Sequence, residues 1–170
     1  MKQCAQLPTK LSRGNATVIN GKVYCGGGDT DNVDEKYIVY CYDPSQDKWT
    51  TLPPLPVRWF GLGQVNGKLV AIGGRSRSGV ITNEVYTYYD ERSQKWKQTI
   101  PRMPTARRDP GVSSLQSALV VAGGATQSGP GVTDIVEIFK PDTSQWYKTC
   151  LLYTSPSPRD ATLSRMPSSA

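Results

Sequence analysis

The stretch Val70-Ala71-Ile72-Gly73-Gly74 is a short apolar segment that ends in a glycine doublet, and the chain contains such a segment three times. Val23-Tyr24-Cys25-Gly26-Gly27 precedes it and Val120-Val121-Ala122-Gly123-Gly124 follows it, so that the doublets recur after 47 and 50 residues. Similar segments spaced by about 20–50 residues are typical of repeat proteins, in which each repeat is one structural unit. The sequence therefore predicts three copies of one small unit.

Two further markers recur with nearly the same spacing. An aromatic residue stands seven positions before a tryptophan in each repeat, in the pairs Tyr42 and Trp49, Tyr89 and Trp96, and Phe139 and Trp146. A Leu-Pro or Met-Pro dipeptide appears in steps of 48 residues, at Leu7-Pro8, Leu55-Pro56 and Met103-Pro104. These markers place the repeats at approximately residues 9–56, 57–104 and 105–149.

Each repeat is predicted to be all-β. In the first, Asn15 to Ile19 runs into the turn signal Asn20-Gly21 and then into Lys22 to Cys25, and the second repeat has Asn66-Gly67 at the corresponding place. Asn-Gly between apolar runs is the strongest short-range signal for a β-hairpin. The third repeat has Leu115-Gln116-Ser117 instead, for which we expect a longer or less tight turn.

A third strand and the tryptophan strand complete a four-stranded antiparallel sheet in each repeat. The inner strands are nearly continuously apolar, which is typical of sheets that are covered on both faces. No segment shows helical periodicity. The sequence therefore predicts small sheets that stack face to face.

These features resemble the kelch repeat, whose period is about 50 residues. The glycine doublets, the aromatic residue seven positions before a tryptophan and the Asp43-Pro44 turn carry the resemblance, which covers residues 1–148. It implies a β-propeller of four-stranded blades around a central channel, and closed propellers have about four to eight blades. We therefore expect an incomplete kelch β-propeller of about three blades, with residues 1–8 as the last strand of a missing blade.

Residues 150–170 differ from the rest of the chain, and their sequence allows two interpretations. One is a disordered linker rich in serine and proline. The other is adapter read-through, because residues 150–160 and 164–170 back-translate in one reading frame into a transposase-based sequencing adapter. Sequence of that origin is excluded from fold reasoning. We expect residues 150–170 to be a disordered, non-native tail.

The composition argues against most classes of enzyme. The chain carries 20 Lys and Arg against 14 Asp and Glu, a net charge of +6, and no histidine, which is the commonest metal ligand and general base. The four cysteines, Cys4, Cys25, Cys41 and Cys150, form no CxxC pair and suggest no zinc site or disulfide framework. We therefore predict no catalytic residue, no metal site and no cofactor.

The same features bear on location and on macromolecular partners. The longest apolar stretch, Ala118 to Ala125, is far shorter than the roughly 18 residues that a membrane helix needs. The first residues lack the apolar core of a signal peptide. The chain also lacks the long basic stripe with exposed aromatic residues that nucleic-acid binding requires. We expect a cytoplasmic protein that binds neither membranes nor nucleic acid.

The residues that define the repeat are interpreted as structural. The second glycine of each doublet permits an unusual backbone angle or a close approach beside the channel, and each tryptophan fills the gap between adjacent blades. This structural set comprises Gly26, Gly27, Tyr42, Trp49, Gly73, Gly74, Tyr89, Trp96, Gly123, Gly124, Phe139 and Trp146.

The loops contain the candidate binding residues. The loop after each tryptophan strand and the loop after each glycine doublet are expected to share one face of the propeller. Their side chains include Arg58, Trp59, Arg75, Arg77, Arg107 and Arg108. The guanidinium fork of arginine suits carboxylates, phosphates and backbone carbonyls. The alternative is that these arginines only pair with Asp29, Asp31 and Asp109 of the same loops.

The resemblance implies a protein-interaction module that captures a protein or peptide, with an acidic segment favoured by the arginines. In related proteins such a propeller often recruits substrates to a ubiquitin ligase through an attached BTB or F-box region. The competing interpretation is a truncated piece of a kelch-like enzyme of the copper oxidase type. Such an enzyme needs histidine ligands, and this sequence contains none.

Overall fold

The computed structural model describes residues 4–88, 95–127 and 131–149, which form fourteen β-strands and one short 3-10 helix. The helix, Asp34–Tyr37, has four residues, and no helix among the described residues is long and apolar enough to cross a membrane. The predicted tail at residues 150–170 and the predicted repeat residue Tyr89 lie outside the described residues.

Twelve strands form three antiparallel sheets, here called blades 1, 2 and 3. Blade 1 has the order β1 (Asn15–Ile19), β2 (Lys22–Gly26), β3 (Val39–Asp43) and β4 (Lys48–Thr51). Blade 2 has β6 (Gly61–Val65), β7 (Lys68–Ile72), β9 (Val85–Tyr88) and β10 (Trp96–Lys97). Blade 3 has β11 (Gly111–Leu115), β12 (Ala118–Ala122), β13 (Val136–Lys140) and β14 (Gln145–Lys148). A small additional sheet pairs β5 (Val57–Arg58) with β8 (Arg75–Ser76). The predicted all-β fold with four-stranded blades is thus confirmed.

The first hairpin of every blade has a two-residue turn. Asn20 and Asn66 take φ angles of 50° at the first turn position, and the glycines after them also have positive φ. In blade 3, Gln116 takes the same position with φ 56°, and Leu115 pairs directly with Ala118. The expectation of a longer turn there was wrong, because glutamine adopts the left-handed conformation that asparagine adopts in the other blades.

The blades stack around their first strands. Strand β6 lies between β1 and β11 and contacts both. Side chains alternate along β7, so that Leu69 and Ala71 pack into the core shared with blade 1, whereas Val70 and Ile72 pack into the core shared with blade 3. This alternation explains why the strand is apolar at successive positions, since each of its faces belongs to a different core.

The outer faces of blades 1 and 3 differ from the stacked faces. Leu115 at the end of β11 is 67% exposed, whereas Ile19 and Val65 at the equivalent positions of β1 and β6 are each 7% exposed. Val18, on the opposite outer face, is 61% exposed. These two faces are the sides on which no further blade packs among the described residues.

Each tryptophan side chain forms a hydrogen bond to the residue that lies two positions before a Leu-Pro or Met-Pro dipeptide. The indole Nε1 atoms donate hydrogen bonds to backbone carbonyls, in the pairs Trp49 to Ala5 (3.0 Å), Trp96 to Pro53 (2.8 Å) and Trp146 to Pro101 (2.8 Å). Each indole also packs against the aromatic residue of the neighbouring strand, at ring-centroid distances of 5.0, 5.2 and 5.3 Å. For Trp96 that residue is Tyr88, which is eight positions before it instead of seven.

The glycine doublets are the point where the two loops of a blade meet. Hairpin register aligns Gly27-Gly28 with Gly73-Gly74 and Gly123-Gly124, so the doublet predicted at Gly26-Gly27 is shifted by one residue. A Cβ atom on Gly28, Gly74 or Gly124 would lie 2.3, 2.6 or 2.7 Å from a carbonyl oxygen of the adjacent loop. Side chains larger than hydrogen do not fit there.

One buried ion pair joins the loop before blade 3 to that blade. Arg107 Nη2 lies 2.8 Å from Glu137 Oε2, and both side chains are fully buried. Arg107 Nη1 donates to the carbonyls of Gly123 and Ile135 at 2.9 and 2.8 Å, and Thr105 donates to the other carboxylate oxygen. Burial lowers the pKa of the Arg107 guanidinium, and the nearby Glu137 opposes that shift.

Replacing Gly74 by Ala should destabilise the fold strongly. Gly74 has φ +103° and a carbonyl oxygen 2.6 Å from the place of a Cβ, whereas Gly67 has φ +72° and nothing within 4 Å. Gly67→Ala should therefore lower the free energy of unfolding by about 1–2 kcal/mol through backbone strain alone. Gly74→Ala should cost about 1–3 kcal/mol more because of the steric overlap. Urea denaturation of both variants measures the difference, and equal losses would contradict the close approach.

Replacing Arg107 by Val should destabilise the fold by about 3–5 kcal/mol, because Glu137 would remain as an unpaired buried charge. Blade 2 has Val57 and Tyr86, both buried, at the two equivalent positions. The double variant Arg107→Val with Glu137→Leu should therefore recover most of the loss. Thermal unfolding of the single and double variants tests this, and additive losses would contradict the pairing.

The two open blade faces should make the chain self-associate in solution. Leu115→Asp places a charge on one of these faces and should reduce the associated fraction. Val80→Asp is the matched control, since Val80 is 55% exposed on a loop instead of a blade face. Sedimentation velocity on the three proteins measures the effect. A monodisperse wild-type monomer, or equal responses to both substitutions, would count against it.

Candidate functional site

Two loops of each blade run side by side and form one surface, here called the loop face. In blade 2, Arg58 pairs with Arg75 across the small sheet β5–β8. Isolated bridges at Ser12–Asp29 and Arg108–Ala125 occupy the equivalent positions in blades 1 and 3. Because of this pairing, the loop after a tryptophan strand and the loop after a glycine doublet present their side chains together.

Three arginines surround one indole on the loop face. The guanidinium carbon of Arg58 lies 4.2 Å from the centroid of the Trp59 ring, that of Arg108 lies 5.0 Å away, and that of Arg75 lies 5.9 Å away. All four side chains are partly buried. We call this group the arginine cluster. Cation–π contacts of this kind contribute about 0.5–2 kcal/mol each, so the ring holds the three cations in place.

The three arginines differ in how their other donors are satisfied. Arg75 Nε donates to the carbonyl of Gly79 at 2.8 Å, and Arg108 Nη1 lies 2.6 Å from Asp109 Oδ2. Arg58 Nε is buried and has no hydrogen-bond partner. A buried donor without a partner costs about 1–3 kcal/mol, or more when it is charged. Within the cluster, Arg58 is therefore the arginine that carries an unsatisfied buried donor.

Backbone strain is concentrated at the same place. Arg13, Trp59 and Asp109 occupy equivalent positions in the three blades and have φ angles of 54°, 58° and 50°. Bulky residues rarely adopt the left-handed region, and such strain is found mainly at functional sites. Asp109 N donates to the Trp59 carbonyl at 2.8 Å, which helps to hold the strained peptide.

Two sequence-predicted arginines lie outside the cluster. Arg77 is exposed on the loop face, with its guanidinium carbon 4.2 Å from the centroid of the Tyr37 ring. Arg107 is fully buried with Glu137 and cannot contact a ligand, so its assignment to the binding face was wrong. The sequence did not identify this contact with Tyr37, which is buried at the end of the 3-10 helix, since a single aromatic residue carries no distinctive signal.

Of the three arginines in the cluster, only Arg108 forms an ion pair with a loop aspartate among the described residues. Asp109 pairs with Arg108, as that alternative requires. Asp29 instead pairs with Lys36 at 2.7 Å, and this contact holds the pKa of Asp29 below its ordinary value. The cluster thus brings three cations together with one carboxylate, and its excess positive charge faces the loop surface.

The cysteines of the described residues are not paired with one another. Cys4, Cys25 and Cys41 are free thiols. Burial, together with nearby Cys41, raises the pKa of Cys25 to about 11, which keeps it protonated at neutral pH. No group of three or more His, Cys, Asp or Glu side chains that could hold a metal ion occurs within residues 4–88, 95–127 and 131–149.

Comparisons with known proteins identify relatives along most of the chain. Residues 11–56 match the family model described as Kelch motif. Kelch-like protein terF of Aspergillus terreus is 28% identical over 85% of this chain and 34% of its own length. Kelch-like protein 23 of Mus musculus is 29% identical over 92% of this chain, and Beta-scruin of Limulus polyphemus is 25% identical over 89%. These matches span 28% and 18% of the two relatives, so the chain corresponds to a minor part of each.

A solved structure gives the same fold. The structure of YjhT superimposes on 90% of this chain and 56% of its own chain, with a TM-score of 0.71 and 18% sequence identity. Similarity at that level of identity concerns the fold alone. The repeated glycine and tryptophan positions, the order of strands in three stacked blades and these matches lead to one conclusion: the chain is similar to kelch-repeat proteins and folds as blades of a β-propeller.

Proposed function

We propose that the chain is a protein-interaction module that captures an acidic segment of a protein or peptide on its loop face. The observation that carries this proposal is the arginine cluster, in which three guanidinium groups surround Trp59 and Arg58 Nε lacks a partner. A carboxylate or phosphate bound there places negative charge beside the three guanidinium groups. It also reduces the mutual repulsion of three cations held against one ring, which is strongest where water is partly excluded.

The form of the surface supports a macromolecular ligand. The cluster lies on loops that a rigid scaffold of strands positions, which is where binding residues concentrate. Arginine and tryptophan are also among the residues that contribute most to protein interfaces, and the exposed Arg77, which lies over the buried ring of Tyr37, extends the cluster along the face. Binding is favoured over catalysis because arginine stays protonated and does not act as a base.

Two biological roles are compatible with such an interaction module. The resemblance to kelch proteins implies recruitment of substrates to a ubiquitin ligase through an attached BTB or F-box region. The alternative is a copper oxidase that supplies its histidines from other blades. Sequencing the full-length transcript separates the two, because a BTB or F-box segment supports the adaptor and clustered histidines support the oxidase.

Titration with a glutamate-rich peptide and its phosphoserine counterpart tests the site. Charge-assisted hydrogen bonds contribute about 1.5–3 kcal/mol each, so Arg58→Ala should weaken binding about tenfold or more. Arg75→Ala and Arg108→Ala should act similarly, and Arg58→Lys should rescue poorly because the planar fork is lost. Arg102→Ala is the matched control, since Arg102 is exposed and pairs with Glu84 instead of a loop-face residue. Isothermal titration calorimetry at two salt concentrations provides the measurement.

Asp109→Asn gives the opposite expectation. In the unbound protein the carboxylate of Asp109 forms an ion pair with Arg108. Asparagine tolerates the left-handed backbone conformation that residue 109 adopts. Removing the carboxylate should therefore release Arg108 and strengthen peptide binding. Unchanged affinity in the Arg58, Arg75 and Arg108 variants would place the partner surface elsewhere.

A further inference from the structure

The turn after β8 presents a serine beside the arginine cluster. In the segment Arg75-Ser76-Arg77-Ser78, Ser76 N donates to Val80 O at 2.9 Å and Gly79 N donates to Ser76 O at 3.0 Å. Ser76 is partly buried, and its hydroxyl accepts from Val80 N at 3.1 Å. Ser78 stands exposed at the tip of the turn, with its hydroxyl 2.8 Å from that of Ser76.

We propose that Ser78 is a phosphorylation site and that phosphoserine at this position closes the arginine cluster to acidic ligands. The effect on ligand binding rests on the function proposed above. The reaction requires ATP and a serine kinase that recognises basic residues. Ser78 Oγ forms a bond to the γ-phosphorus of ATP, and its hydroxyl proton passes to the base of the kinase. The bond between the γ-phosphorus and the bridging oxygen breaks, and ADP leaves with that oxygen.

The local sequence and structure suit such a kinase. Arg75 and Arg77 stand three and one residues before Ser78, and kinases discriminate among substrates by charge patterns of this kind. The turn is held by a strand of only two residues, Arg75–Ser76, which pairs with the equally short β5. Exposed elements with few buried apolar contacts open locally at low cost in free energy, so the segment can extend into a kinase groove.

Arg75 is already placed beside the turn that carries Ser78. Arg75 Nη2 lies 3.3 Å from the place that a Cβ on Gly79 would occupy, and Gly79 is the residue directly after Ser78. A phosphoserine carries a charge of about −1.5 to −2 and forms one to three charge-assisted hydrogen bonds beside an arginine cluster. At Ser78 the phosphate would form ion pairs with Arg75 and Arg77. The charges of these two arginines would then no longer attract an acidic ligand to the loop face.

The first test determines whether Ser78 is modified. The full chain is incubated with ATP, Mg²⁺ and a serine kinase specific for basic residues, and the products are analysed by intact mass and by peptide mapping. We expect one phosphoryl group at Ser78, lost in Ser78→Ala and retained in the control Ser45→Ala. Ser45 is exposed in the turn between β3 and β4, where it bonds to Asp43. Absence of phosphate, or phosphate on Ser76 in place of Ser78, would overturn the assignment.

The second test asks whether the phosphate engages the arginines, and it does not depend on any ligand. In phosphorus NMR titrations the second pKa of the phosphoserine should lie below its usual value of about 6. Arg75→Gln and Arg77→Gln lack a basic residue that the kinase recognises, so both carry phosphoserine incorporated at position 78 during synthesis. Each should raise the pKa towards that value, because each removes a cation beside the phosphate. A pKa that is unchanged by both substitutions would overturn the closing contact.

The third test joins the modification to binding. The phosphorylated chain should bind the glutamate-rich peptide about tenfold more weakly or worse than the unmodified chain, while Ser78→Ala treated with the kinase should bind normally. Equal affinities before and after modification would overturn the switch. If the unmodified chain fails to bind the peptide, the proposed function fails, and the phosphorus titration still decides whether the phosphate contacts the arginines.

Discussion

The loop face depends on the contact between each glycine doublet and the neighbouring loop. The second glycine lies against a carbonyl oxygen of Ser12, Arg58 or Arg108, at a distance that leaves no room for a side chain. This approach brings two loops of one blade into register, and it thereby places Arg75 opposite Arg58 beside Trp59. Without it the two loops would separate, and arginines that are distant in the sequence would not share one ring. The same glycines thus serve the fold and the candidate binding surface.

Hydrophobic pattern and turn chemistry were sufficient to predict the blades. Asn20 and Asn66 marked the hairpins because a positive φ is needed there, and the continuous apolar run of β7 indicated a sheet covered on both faces. Register was predicted less well, because single-residue shifts leave composition unchanged. Gly28 aligns with Gly74 and Gly124, whereas Gly27 has the positive φ and the close approach that were expected of it, and Tyr88 pairs with Trp96. Only the hydrogen-bond register between strands shows which of two adjacent residues occupies a given position.

The adjacent residues Arg107 and Arg108 show why the candidate site was only partly predictable. Both follow the same Met-Pro dipeptide, yet Arg107 points into the core and Arg108 lies beside Trp59. The buried position holds Val57 in blade 2, where an apolar pair with Tyr86 replaces the ion pair. A repeat therefore tolerates either two charges or none at this position. Sequence composition cannot assign an arginine to one role, since its partner lies some 30 residues further along the chain.

The hydrogen bond from each tryptophan has a consequence for the synthesis of the protein. Its acceptor always precedes the donor by 43 to 45 residues, as in Trp96 to Pro53. Every blade can therefore be closed by residues that have already left the ribosome, because nothing downstream is required for that bond. Contacts limited to about one repeat also keep the cost of loop closure low. In a growing chain of this kind the tryptophan bonds can form one after another from the amino terminus, and each new blade completes the core of the blade before it.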